Sequence, residues 1–186
     1  MLVKGGGLNI GHVQLKTEAN IREKTTINFN WLANSIDLDS PDVTLLSTKL
    51  GVQGNIDGFK TKSLVSLFET IEKQDDNKTE SLMKDILGDG LELQNIKIFM
   101  NDSSVTGNIS LNKSNYTMLR PYEIQRQIER EINSDLNVTL TPNMASTLNI
   151  DKGILNQLFS INKEQNYTSE IKTALGKITV NGRTIN

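Results

Sequence analysis

Carboxylates are the one reactive group this chain holds in quantity, with 22 Asp and Glu against a single histidine, His12, and no cysteine. The lack of cysteine removes thiolate nucleophiles, thiolate metal sites and disulfides, and it leaves the redox compartment open. One histidine cannot build a multi-histidine zinc site or a His-dependent triad without partners, so a structural or surface role in a strand suits His12 better. Asp37, Asp39 and Asp42 could offer oxygens to calcium, yet they lack the glycine and distal glutamate of a calcium loop, and a solvated turn is the simpler reading. Asp75, Asp76 and Glu80 fit an exposed connection and a helix start, where negative charge is favourable. Gly5-Gly6-Gly7 is followed by no Lys-Ser/Thr and reads as a flexible leader rather than a phosphate cradle. What remains are acids that only the fold could unite, as in glycoside hydrolysis. Asp57 and Asp151 are the candidates because each lies at a strand-to-helix junction, although turning and capping the chain explain both more simply. No catalytic, cofactor-binding or metal-binding residue is assigned.

The elements that would position such groups centre on Val43 to Ile71. Leu46, Lys49 or Leu50, Val52 and Ile56 alternate with polar residues, which suits a strand with one buried face. Gly54 and Asp57-Gly58 punctuate it. Leu64, Leu67, Phe68 and Ile71 then share one side of a helix that needs a sheet to cover, with Thr61 or Ser63 as its cap. A related layout returns over Asn133 to Phe159. Upstream, Leu8 to Lys16 and Ala19 to Leu32 read as strands, the second with Trp31 packed in a core, and Asn34 to Pro41 as a polar turn. Downstream, the pattern predicts a helix over Thr79 to Leu87, stopped by Gly88-Asp89-Gly90. Leu91 to Met100 and Val105 to Leu111 form a hairpin about Asn101-Asp102, with a possible bulge at Asn95. A helix follows from Pro121 to Ile132, then extended segments at Leu136 to Leu140 and Ala145 to Ile150, and a helix capped by Asp151. Tyr167 to Ala174 and Ile178 to Ile185 close the chain, with a tight turn at Asn181-Gly182.

Local strands, short helices and no long βαβ alternation predict an α+β fold. It is a mainly antiparallel sheet of hairpins, with short amphipathic helices packed on one face. The length of 186 residues suits one domain with a real core. Twenty Lys and Arg give a net charge of -2 without a basic block, so nucleic acid is not expected as a partner. No run of about 20 apolar residues is present to cross a bilayer. The 21 asparagines create glycosylation triplets such as Asn108-Ile-Ser, which chance explains in so Asn-rich a chain.

The segment Tyr167 to Ile185, with Leu175-Gly176-Lys177-Ile178-Thr179-Val180-Asn181-Gly182-Arg183 in its last part, resembles the closing hairpin of the bacterial YdgA-like family (DUF945), whose function is unknown. Val52 to Asp57 with Leu64 and Leu67, Gly90 to Leu111, and Asn149 to Phe159 are similar to further units of that family. The resemblance implies the C-terminal portion of a longer envelope protein, periplasmic and held at the inner membrane by an N-terminal anchor that this chain lacks. It carries over no catalytic residue and no cofactor. The expected task is a non-catalytic scaffold or binding module, with an apolar groove for a lipid or an envelope protein. The alternative is a hydrolase or sugar-processing enzyme that uses acids assembled by the fold.

Overall fold

Alternating apolar and polar residues, repeated in segment after segment, find partners for their backbone and a common side for their apolar groups in a sheet. The computed structural model of the protein describes residues 7–39 and 44–185. Three long strands come first, β1 (Gly7–Ile21), β2 (Lys24–Asp39) and β3 (Thr44–Lys60), followed by helices α1 (Thr61–Glu72) and α2 (Asp76–Gly88). The hairpin β4 (Leu91–Met100) and β5 (Ser103–Leu111) is next, and α3 (Pro121–Glu131) leads into β6 (Ile132–Leu140). Helices α4 (Pro142–Thr147) and α5 (Lys152–Leu158) precede β7 (Ser160–Ile161), β8 (Tyr167–Ala174), β9 (Lys177–Val180) and β10 (Arg183–Ile185). One sheet joins the strands in the order β1-β2-β3-β4-β5-β6-β8-β9-β10, with β7 beside β8, and each pairing is antiparallel. The fold is therefore α+β with a mainly antiparallel sheet.

Two irregularities keep the apolar residues in phase. In β4, Asn95 adopts a φ of 53°, and the register jumps from Leu93 opposite Ile109 to Ile96 opposite Gly107. The extra residue returns Leu91 and Leu93 to the side occupied by Ile96, Ile98 and Met100. In β2, Ser35 has a φ of 56°, and the pairing moves from Ala33 opposite Leu50 to Ile36 opposite Thr48. Without that shift Ile36 would point to the polar side.

Several boundaries differ from the sequence pattern. The segment Ala19 to Leu32 is broken at Arg22 and Glu23, where β1 turns into β2. Asn34 to Asp39, read as a turn, continues β2; Pro41, Asp42, Val43, Gly5 and Gly6 lie outside the described residues. Neither Thr61 nor Ser63 caps α1, whose N-cap is Lys60 with no capping hydrogen bond from its side chain. Thr61 instead donates its hydroxyl to the Arg22 carbonyl and its amide to that of Glu23, so the helix start holds the first hairpin turn. Ala145 to Ile150 is not extended: Thr141 accepts from the Met144 amide and Pro142 opens α4, burying Met144 and Ala145. Phe68 and Ile71 are exposed, because α1 rests on α2 rather than on the sheet; Leu67 and Thr70 are its buried residues.

The helices gather at the two ends of the sheet. At one end α4 and α5 bring Met144, Ala145 and Leu155 onto Leu140, with Met100, Ile150, Phe159 and Tyr167 packed around them. At the other, α1 leaves from Lys60, α2 lies against the loop after β5, and α3 delivers the chain to Ile132. Gln127 of α3 donates to Ser114 in that loop, and Lys84 of α2 donates to the Leu119 carbonyl.

Candidate functional site

The registers assign every strand residue to a side, since directly opposed residues of antiparallel strands share one. One transverse row runs Leu15, Trp31, Val52, Ile98, Val105 and Val138. A second contains Ile96, Gly107, Leu136, Ile171 and Val180. On the opposite side the matching row reads Lys16, Asn30, Gln53, Lys97, Thr106 and Asn137. The sheet thus has an apolar side and a polar one. The polar side is furnished with ion pairs such as Lys172 with Glu170 at 2.8 Å.

An apolar side of this extent would ordinarily be covered. Here Leu15 is 73 % exposed and Ile98 43 %, while Trp31, Val52, Val105 and Val138 are half-buried. Trp31 is therefore not a core residue; the helices that would bury it stand at the sheet ends. Five strand spacings of about 4.8 Å give the first row a span of roughly 24 Å. Among the buried hydroxyls on this side, those of Thr25, Ser103 and Ser169 are satisfied within the fold, Thr25 by Thr61. Ser103 bonds Thr141, and Ser169 donates to the Leu158 carbonyl. The surface is broad, apolar and poor in groups that would orient a polar ligand.

The acids considered from the sequence do not meet on it. Asp57 accepts from the Gly58 amide at 2.7 Å and from Thr26, opposite Glu92 near the start of β4. Asp151 caps α5, accepting from the amides of Gly153 and Ile154, beside the core at the far end of β4. The eight residue steps from Glu92 to Met100, roughly 26 Å at about 3.3 Å per residue, separate the two neighbourhoods. Asp75 caps α2 through the Lys78 amide. His12 lies exposed on β1 opposite Asn34. Among the described residues no group of three or more His, Asp or Glu is placed to hold a metal ion.

A polar cleft that the sequence did not signal opens at the helical end, lined by Lys60, Ser63, Lys84, Asp85, Asp89 and Tyr116 among others. Lys60 meets Asp89 there at 2.6 Å, and Lys84 meets Glu80 at 2.8 Å. Tyr116 is 1 % exposed, and its hydroxyl has no hydrogen-bond partner. Burial, and then the nearby Glu131 carboxylate, push its pKa above the ordinary 10.0. An unpartnered buried hydroxyl destabilises, so Tyr116→Phe is expected to raise stability by about 1 kcal/mol in urea unfolding at neutral pH. Above about pH 10 the unfolded chain releases a phenolic proton that the folded one keeps, so stability falls as pH rises. The Phe variant should lack that part of the alkaline decline.

No protein-family model, no curated protein and no solved structure matches the chain.

Proposed function

We propose that the protein is a non-catalytic binding module of the bacterial cell envelope whose open apolar sheet face holds the acyl chains of a lipid. The observation that carries this is the uninterrupted row from Leu15 to Val138, exposed or half-buried along its length. Its roughly 24 Å exceeds the share of one leaflet in a hydrocarbon core of about 30 Å. Acyl chains ask for area and no hydrogen bonds, which matches a surface whose buried hydroxyls at Thr25, Ser103 and Ser169 are already bonded inside the fold. The resemblance of Gly176 to Arg183 to the YdgA-like closing hairpin supports the envelope setting and a periplasmic location at the inner membrane. The enzyme reading draws less support, since Asp57 and Asp151 stand far apart and Asp89 in the polar cleft is held by Lys60.

The chain has one tryptophan, Trp31, and it lies in the apolar row. Phospholipid carrying bromine on its acyl chains should shift Trp31 emission to the blue and quench it, while lipid brominated at the headgroup should shift it without quenching. Emission unchanged by either lipid at saturating micellar concentration would overturn the proposal.

A further inference from the structure

Among the described residues, strand β1 is an edge of the sheet, paired with β2 on one side only. Edges of monomeric proteins are guarded by shortness, proline, or a charge pointing into the apolar side. β1 is 15 residues long and contains no proline. On the apolar side it shows Val13, Leu15, Thr17, Ala19 and Ile21, none of them charged, with Leu15 73 % and Ile21 68 % exposed. The opposite edge, β10, has 3 residues and is too short to match it.

The charges of β1 are self-complementary. Lys16 and Glu18 lie on the polar side, flanking Thr17, and pair with each other at 2.7 Å. A second β1, run antiparallel about a two-fold axis through Thr17 and normal to the sheet, brings Lys16 opposite Glu18 twice. It also sets Leu15 opposite Ala19 and Val13 opposite Ile21, so the apolar sides stay together. Moving the axis to Lys16 or to Glu18 places like charges directly opposite each other. An axis between two residues would oppose an apolar-side residue to a polar-side one.

We propose that two copies of the chain join through their β1 edges, antiparallel about Thr17, into one continuous sheet with a shared apolar face. Each copy then contributes Val13, Leu15 and Ile21 to the middle of that face, where a lone chain leaves them at its margin. The pairing does not depend on what the face holds, so this proposal and the lipid reading fail by different measurements.

Sedimentation velocity of the whole chain over a concentration series should show a monomer–dimer equilibrium. Glu18→Lys, which sets two lysines against each other at both crossings, should weaken the dimer by about tenfold or more. Lys16→Glu combined with Glu18→Lys should restore it, because the swapped strand is again complementary to itself. As the chain has no cysteine, Thr17→Cys should form a disulfide-linked dimer on mild oxidation. Asn20→Cys, which lies opposite Gln14, should not. Circular dichroism establishes that each variant is folded. A wild type that stays monomeric at every concentration, a dimer indifferent to charge reversal, or equal cross-linking at positions 17 and 20 overturns the proposal.

Discussion

Gly107→Ala is expected to cost about 4 kcal/mol or more, enough to leave most of the chain unfolded if its stability is ordinary. Gly107 sits in β5 with a φ of 147°, a conformation that L side chains rarely adopt. A Cβ there would stand 2.0 Å from the Asp135 carbonyl oxygen and 2.9 Å from the Cα of Leu136. Both belong to the backbone of β6, so relief means parting two strands in the middle of the sheet rather than turning a rotamer. Gly182→Ala is the control, because its φ is 76° but nothing lies within 4 Å of the added atom. That change should cost only the conformational part, about 1 kcal/mol. Urea unfolding followed by circular dichroism compares the two. Equal losses would show that the approach of β6 to Gly107 is not as close as described.

Val105→Asp should reduce acyl-chain binding by about a hundredfold. Val105 sits in the apolar row between Ile98 and Val138 and is half-buried, so the fold can bear a carboxylate there with water at hand. A bound acyl chain would strip that water from a short side chain unable to reach past it, a penalty of several kcal/mol. Thr106→Asp makes the same change one residue along, on the polar side opposite Lys97 and Asn137. It should leave binding as it was and report the cost of aspartate in β5. Titration of Trp31 quenching by brominated lipid measures both. Equal affinity in the two variants would remove the apolar row from the binding site.

The amino-acid pattern made much of this legible where the deciding forces are local. Leu91 to Met100 shows both its strand and the slip at Asn95, because alternation records which side each residue takes and a bulge appears as a break in step. Asp151 and Pro121 likewise announce α5 and α3 through capping chemistry confined to one turn. The turn at Arg22 and Glu23 was invisible because it has no glycine, proline or asparagine. Its carbonyls are bonded by Thr61, a partner 39 residues from Arg22. Asn34 to Asp39 looked like a turn by composition, but flanking strands on both sides supply its backbone with partners. In α4 the signal was present in Thr141-Pro142 and was outweighed by the alternation around Ala145.

The open face was only half legible. Period two says that one side of each strand is apolar; it does not say where the helices go. Leu64, Leu67, Phe68 and Ile71 promised a helix lying on the sheet, whereas α1 turned its Leu67 side to α2 and left Phe68 to solvent. What decides between a covered sheet and a bare one is the connection after β3 and after β6, and both deliver their helices to a sheet end.

Apart from the short β7, neighbours in the sheet follow one another along the chain. Such a plan has no fixed final size. An extra hairpin gained by duplication at the β10 margin would widen the oily surface by about 10 Å and disturb none of the existing pairings. On the proposed reading of the face, capacity for longer or more numerous hydrocarbon tails could therefore be tuned in evolution by counting ribbons alone, with the interior left as it is.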